Sequence, residues 1–177
     1  MKFLKTITIV AIVLITSGVV AQSKDDQKII ADAKKAKEKI LQVEPGLKSF
    51  FDNSAGYVIF PNVGKGGLII GAASGNGVVY DSGEMIGMAD LKKLNIGLQA
   101  GGQAITEVIF FETEESLADF KKSEFEFGAE ASAVAIKSGI AVNAKYEDGV
   151  AVFALPKAGL MADASVGGQK FKFETFK

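Results

Sequence analysis

A glycine-rich stretch from residue 64 to residue 80 constrains the fold of this chain more than any other segment. It reads GKGGLIIGAASGNGVVY and holds six glycines and one lysine, Lys65. Each glycine in a helix costs roughly 1 kcal/mol relative to alanine, so a helix is disfavoured here. Glycines between β-branched residues are typical of strands that bend sharply or lie close to another backbone. Gly66, Gly71, Gly75 and Gly101 are therefore expected where a side chain would strike backbone or where φ is positive.

Lys65 lies among these glycines, and the nearest acidic residue before it in the chain is Asp52. A cation beside exposed backbone amides is typical of an anion contact. The alternative is that the glycines only curve a sheet and that Lys65 has no ligand. The stretch is not a Walker phosphate loop, because its spacing differs and no helix opening with Lys-Ser or Lys-Thr follows it.

The first 21 residues have the pattern of a secretory signal peptide. Lys2 and Lys5 form a basic start, residues 7–20 are mostly apolar, and small side chains at 19–21 precede Gln22. The alternative is a membrane anchor, but the apolar run falls short of the ~20 residues that a span needs. We expect cleavage before Gln22, export to the periplasm or the medium, and a location that is peripheral to a membrane.

Composition narrows the functional classes. The chain has no histidine and no cysteine, and all 20 of its cations are lysine against 21 acidic residues, which gives a net charge of −1. These absences remove the usual general base, the thiol nucleophile and most zinc sites. We therefore expect no enzyme, no metal and no cofactor, with a carboxylate-dependent hydrolase as the remaining catalytic alternative. The charge balance argues against nucleic-acid binding, and the lack of arginine argues against bidentate phosphate clamps.

Residues 22–42 are predicted to form a helix. Ile29, Ala33, Ala36 and Ile40 recur at helical spacing on one face. An adjacent face carries Lys24, Lys28, Lys35 and Lys39. Two interpretations remain open for these lysines: a solvated face on a helix that packs against the core, or a basic amphipathic helix on an anionic membrane.

The remaining chain, residues 43–177, is predicted to form one mostly extended domain. A short second helix is expected at residues 45–51 and a third near 113–122, where acids lead and lysines trail. The strands expected elsewhere are short and separated by turns, which is typical of antiparallel sheets. The predicted fold class is α+β, with an N-terminal helical segment packed on a glycine-rich antiparallel sheet that is barrel-like or a sandwich. The expected strands are 57–60, 66–73, 77–80, 84–89, 94–101, 105–111, 125–136, 139–146, 150–155, 159–163 and 169–175.

A row of polar residues lies at even offsets after this glycine-rich stretch. Gln99, Gln103 and Glu107 would share one face of an uninterrupted strand. Such a row among glycine and alanine is either a solvated face or the lining of a polar cavity, and both interpretations stay open.

The ordered set of motifs closely resembles the SYLF lipid-binding domain family. The resemblance covers about residues 43–173 and rests on AGYVIFPNVGKGG at 55–67, Gly71, GNGVV at 75–79, IGLQAGGQ at 96–103, EVIFF at 107–111, the helix around Leu117 and Phe120, GAEASAVA at 128–135 and AGLMA at 158–162. It implies binding of phosphoinositides or other anionic lipids, actin binding in some fungal members, and no catalytic residues. Exported bacterial members look like envelope proteins associated with lipid.

This chain departs from the family pattern in two respects. It lacks a tryptophan between the second and third strand blocks, where YDSGEM stands at 80–85, and it lacks arginine throughout. An exported bacterial protein would meet neither actin nor, ordinarily, phosphoinositides, so those parts of the resemblance are not carried over. The expected function is non-catalytic binding of anionic lipid in the cell envelope, and the alternative is a structural or protein-interaction module there. The candidate lipid-binding residues are Lys35, Lys39, Lys48, Phe50, Phe51 and Lys65.

Overall fold

A computed structural model describes residues 24–67, 70–122, 126–127, 134–142 and 144–176, without the side chains of 70–71, 95–100, 126–127 and 158–168. The predicted signal peptide and cleavage site lie outside the described residues. Among the helices that are described, none is both long and apolar enough to cross a membrane.

Three helices form where the sequence predicts them. Helix α1 spans Lys24–Val43, and a 3₁₀ turn at Pro45–Leu47 leads directly into α2 at Lys48–Asn53. Helix α3 spans Glu114–Lys121, and the Thr113 hydroxyl caps it by accepting the Ser116 N–H at 3.2 Å. Such a cap satisfies one of the free N–H groups of the first turn. The helical spacing of α1, the proline at the first turn before α2 and the order of charges along α3 predicted these three positions.

Six strands form one sheet whose pairings are antiparallel except for a parallel pair between β5 and β6. The pairing order is β1-β2-β3-β6-β4, and β1 also pairs with β3. The strands are β1 Gly56–Gly67, β2 Ile70–Asp81, β3 Glu84–Phe111, β4 Glu126–Phe127, β5 Val134–Ala135 and β6 Val150–Thr175.

Strand β3 folds back on itself. Its 28 residues would span about 90 Å if straight. Yet Gly56 pairs with both Asp81 and Phe111, and Asp81 pairs with Glu84. The two ends of β3 are thus three strand spacings apart, or about 14 Å. Strand β6 pairs with β3 along almost this whole length, so the two bend together.

The bend curls the sheet around an interior. The β1–β2 hairpin lies between the two halves of β3, and the two halves of β6 lie outside them. Among the described residues the sheet is not closed into a barrel. The two halves of β6 lie near its opposite edges, and the two-residue strands β4 and β5 pair with them there. The predicted α+β class with an antiparallel, glycine-rich sheet is confirmed. The sheet, which was predicted to be barrel-like or a sandwich, is an open curl.

Both faces of the curled sheet are buried at the end that contains Gly56 and Phe111. The inner core includes Val58, Phe60, Ile109 and Phe111, with Leu117 and Phe120 from α3. The outer core includes Tyr57, Ile59, Val108 and Phe110, covered by Ala33, Ala36 and Ile40 of α1 and by Leu47 and Phe51. This is why residues 57–60 and 108–111 read as continuous apolar runs rather than as alternating ones.

Several predicted strands and turns are wrong in detail. The segments at 84–89, 94–101 and 105–111 are one strand, as are those at 150–155, 159–163 and 169–175. A strand at 139–146 does not form, since a 3₁₀ turn occupies Ile140–Val142. The breaks expected between residues 73 and 77 and between 163 and 169 lie inside β2 and β6, because glycine there bends the strand without ending it.

Candidate functional site

The most exposed group of cations in the candidate set lies on α1. We call Lys24, Lys28, Lys35 and Lys39 the lysine face; all four side chains are exposed, and they extend over about 22 Å of helix. One acidic neighbour interrupts the face, because Asp32 Oδ2 lies 3.3 Å from Lys28 Nζ. The lysine face is therefore a cationic strip in which Lys28 forms an ion pair with Asp32.

The apolar side of α1 is occupied by the sheet. Ala33 and Ile40 are fully buried and Ala36 is 8% exposed. These residues pack against the outer face of β1 and β2, so they are not available to insert into a lipid layer. A contact between α1 and a membrane would then be electrostatic, through the lysine face alone.

The structure does not add Lys48, Phe50 and Phe51 to this face. Lys48 forms an ion pair with Asp52 one turn later in α2. Phe51 is 7% exposed and packs against the rings of Tyr57 and Phe110.

Phe50 is half-buried against Phe110, Tyr146 and Phe153. The rings of Phe50 and Phe51 thus pack in or against the outer core, and their candidate role in lipid binding stays a prediction. A buried aromatic ring contributes more to the free energy of folding than an exposed ring does.

Lys37 is a cation that the sequence analysis missed. Its Nζ lies 4.4 Å from the Phe51 ring centre and 4.8 Å from that of Tyr57, and it donates to the Tyr57 hydroxyl at 2.8 Å. Burial is the main cause of the lowered pKa of Lys37, and the nearby Asp52 carboxylate opposes it. The sequence signal that could have identified Lys37 is its position beside the buried stripe from Ala33 to Ile40 on α1. Lys37 fixes α1 to β1 and does not belong to the lysine face.

Lys65 lies apart from the lysine face, on the inner side of the curl. Strand register places Gln103, Lys65, Ala73, Lys93 and Gln169 at one level around the interior. We call these five residues and Glu107 the polar layer. Lys65 and Lys93 are half-buried, whereas Gln169 is 2% exposed. Gln103 and Glu107 of the predicted polar row therefore line the interior, whereas the side chain of Gln99 lies outside the described residues.

Glu107 is the most deeply buried charged group among the described residues, with 1% exposure. With the Gln169 amide oriented to satisfy its neighbours, its nitrogen donates to Glu107 Oε1 at 3.0 Å and its oxygen accepts from Lys93 Nζ at 3.3 Å. Burial raises the pKa of Glu107, and the charges of Lys65 and Lys93 act in the opposite direction. A carboxylate and two ammonium groups thus share one enclosed space.

Two further levels frame the polar layer. On one side lie Ile105, Val63, Leu91 and Phe171, all at most 2% exposed, with Gly75 between them. On the other side, register aligns Gly101, Gly67, Gly71, Asn95 and Gly167. We call these five residues the glycine layer. The interior is therefore filled on one side of the polar layer and lined mainly by glycine backbone on the other.

The four glycines singled out from the sequence have different surroundings. A Cβ at Gly75 would lie 2.7 Å from the Asn62 carbonyl oxygen, and Gly101 has a φ of 115°. A Cβ at Gly66 would have no neighbour closer than 3.8 Å, so the expected crowding is corrected there. The side-chain surroundings of Gly71 lie outside the described residues.

The described residues form an α+β domain with a lysine-bearing helix outside a curled sheet and a polar layer within it. Residues 92–175 match the family model for Ysc84, described as a Las17-binding protein actin regulator, and the chain belongs to this SYLF-domain family. Over 137 residues it is 30% identical to beta cell expansion factor A from Aeromonas veronii. That match covers 75% of this chain and 51% of the relative, so the chain spans about half the relative's length.

The part of the chain that the structure describes contains no group of three or more acidic side chains placed to hold a metal ion.

Proposed function

We propose that this protein binds anionic lipid surfaces without catalysis, in the cell envelope, through the lysine face of α1. The observation that carries the proposal is the exposure of four lysines in a row on a helix whose opposite side is fixed to the sheet. Membership of the SYLF-domain family supports binding as the general function. The envelope location rests on the predicted signal peptide.

The expected strength follows from the number of lysines. Each lysine near an anionic surface contributes roughly 1 kcal/mol. Four such contacts, some weakened by Asp32, would raise binding up to about a thousandfold over that of an uncharged surface. The attraction falls off over about 10 Å at 0.1 M salt and about 3 Å at 1 M. Binding should therefore be strong at low salt and largely lost at high salt.

Flotation with phosphatidylcholine vesicles, with and without phosphatidylglycerol, tests the proposal. Changing Lys24, Lys28, Lys35 and Lys39 together to Gln should abolish flotation with the anionic vesicles at low salt without lowering the melting temperature. The matched control makes the same change in charge at Lys92 on β3, at Lys122 directly after α3, and at Lys170 and Lys172 on β6. The proposal is wrong if the wild type ignores anionic vesicles at low salt, or if both variants bind equally well.

A second candidate function is binding to an envelope protein. The family description names a protein partner, which favours this class of function. An open groove of about 330 Å³ between Ser49, Phe50, Asn53, Glu112 and Tyr146 offers a surface for such a contact. Co-purification of a partner from detergent-solubilised envelope that persists after lipid removal would favour this function over lipid binding.

A further inference from the structure

We infer that the groove between α2, the end of β3 and the segment before β6 binds a quaternary ammonium group. The group lies between the rings of Phe50 and Tyr146 and beside the carboxylate of Glu112. This site is separate from the lysine face, and the inference rests neither on membrane binding nor on a protein partner.

Three segments that are distant in sequence hold the walls of this groove in place. The Phe50 ring packs edge-on against the buried ring of Phe153, with 5.3 Å between the ring centres. The Glu112 N–H donates to the Gly149 carbonyl at 2.9 Å, and Tyr146 lies three residues before that glycine. The groove is therefore formed by contacts within the protein and does not need a ligand to assemble it.

The two aromatic rings offer the faces that bind a cation. The centres of the Phe50 and Tyr146 rings lie 5.3 Å apart, and the ring planes are tilted by 45°. Both side chains are half-buried and line the groove, so part of each ring is exposed to it. The face of an aromatic ring carries partial negative charge and attracts an ammonium group within about 6 Å. Two rings at this angle can contact one such group together.

The charge at the groove is negative. Among the described residues that line it, Glu112 is the one that carries a charge, and its side chain is exposed. Burial raises the pKa of Tyr146 to about 12, and the Glu112 carboxylate acts in the same direction. Tyr146 therefore keeps its proton at neutral pH, and the negative charge of Glu112 lies near its ring. A carboxylate and two aromatic faces are thus adjacent.

The polar rim of the groove offers acceptors to a ligand. The Ser49 hydroxyl donates its proton to the Gly46 carbonyl at 2.9 Å, and Asn53 Nδ2 donates to the Ser49 carbonyl at 2.8 Å. The Ser49 hydroxyl oxygen and Asn53 Oδ1 can then accept from a ligand. Such oxygen atoms attract the polarised C–H groups beside a quaternary nitrogen and repel an anion.

This mixed lining favours a weakly hydrated organic cation over a metal ion. Calcium and magnesium take about six or more oxygen ligands, which the faces of aromatic rings do not supply. A primary ammonium group is strongly hydrated and would lose that water against the rings. The groove, of about 330 Å³, has room for a trimethylammonium group whose substituent extends outward. The ligand is either a small free cation or the headgroup of an amphiphile, and the experiment separates the two.

An NMR titration of the folded, isotope-labelled protein tests the site with tetramethylammonium, choline and neohexyl alcohol, the uncharged carbon analogue of choline. We expect the two cations to shift the resonances of Ser49–Asn53, Glu112 and Tyr146, with dissociation constants on the order of a millimolar. Neohexyl alcohol should shift them little, because it lacks the charge.

Dodecyltrimethylammonium, below its micelle concentration, distinguishes the two sources of the ligand. Binding no tighter than that of tetramethylammonium identifies a small free cation. Binding that is much tighter identifies an amphiphile headgroup whose chain continues along the protein surface.

Substitutions at the groove separate charge from shape. Glu112→Gln should weaken choline binding about threefold, and Glu112→Lys should abolish it, because the attraction is first removed and then reversed. Glu84→Gln, which removes the same charge at the exposed first residue of β3, is the matched control and should bind like the wild type. Tyr146→Leu should weaken binding about threefold, whereas Tyr146→Phe retains the ring and should keep most of the affinity.

The inference is overturned if neither cation shifts these resonances, if neohexyl alcohol binds as tightly as choline, or if Glu112→Lys binds choline like the wild type. Glu112 is exposed, so its variants should fold, and their melting temperatures check this. Vesicles are not involved, so a failure of the lysine face on α1 would leave this result unaffected.

Discussion

At the scale of single residues, Gly75 and Gly66 offer a test of how closely the strands pack. A Cβ at Gly75 would lie 2.7 Å from the Asn62 carbonyl oxygen and 3.0 Å from Val63 Cγ2, whereas the nearest atom to one at Gly66 would be 3.8 Å away. Gly75→Ala should therefore lower the free energy of unfolding by about 2 kcal/mol or more. Gly66→Ala is the control and should change it little. Urea denaturation of the two variants measures both effects, and equal stability would show that β2 can move away from β1 at no cost.

The buried carboxylate of Glu107 should make stability depend on pH. Its pKa is raised above the ordinary 4.5, chiefly by burial, so the folded state binds this proton more tightly than the unfolded state does. The contribution of Glu107 is then most favourable at low pH and is lost as the pH rises from 4.5 through the raised pKa. Relative to Glu107→Gln, the wild type should lose free energy of unfolding over this window and level off above it.

Urea denaturation of both proteins across this pH range measures the difference. A difference between wild type and Glu107→Gln that does not change with pH would mean that Glu107 binds its proton equally tightly in the folded and unfolded states.

At the scale of secondary-structure elements, Glu44 joins the end of α1 to a distant turn. It is 4% exposed, and its two carboxylate oxygens accept the Gly46 N–H at 2.9 Å and the Ile140 N–H at 3.1 Å. Glu44→Ala would leave both N–H groups without this acceptor, at a cost of about 1–3 kcal/mol for each one that stays buried. We expect a lower melting temperature by differential scanning calorimetry. Glu38→Ala, on the exposed side of α1, is the control, and an equal effect of both would contradict the role of Glu44.

The elements differ in how well the sequence predicts them, and the reasons are physical. Helices α1 and α3 carry their own signals, namely a 3.6-residue period and a capping threonine with leading acids. The bends of β3 and β6 do not, because glycines such as Gly97 and Gly167 read equally well as breaks between strands.

The candidate site shows the same limit. The exposed lysines of α1 follow from helical spacing, whereas the meeting of Lys65, Lys93 and Gln169 follows from the register of four strands. Gln103 and Glu107 were open to two interpretations because alternation defines a face of the strand but not which face the curl encloses. The pairing of strands that are distant in sequence therefore determines which residues face the interior, and the local pattern of residues does not.

At the scale of the whole molecule, the two ends of the curled sheet are built differently. Near Gly56 and Phe111 both faces are packed, with α1 and α2 outside and α3 inside. Toward the glycine layer the outer positions are exposed, as at Ala72, Ser74 and Gly102. The end near Gly56 and Phe111 thus supplies most of the buried apolar area, whereas the end at the glycine layer consists mainly of backbone.

This asymmetry predicts a gradient of hydrogen exchange along the strands. Exchange at Tyr57–Phe60 and Val108–Phe111 requires the separation of both cores, so these amides should exchange slowest. Amides at Gly64–Gly67 and at 101–104 should exchange faster, since few buried side chains hold that end together. Hydrogen-exchange mass spectrometry of the folded protein measures both exchange rates. Uniform protection along β1 and β3 would contradict the two-ended construction.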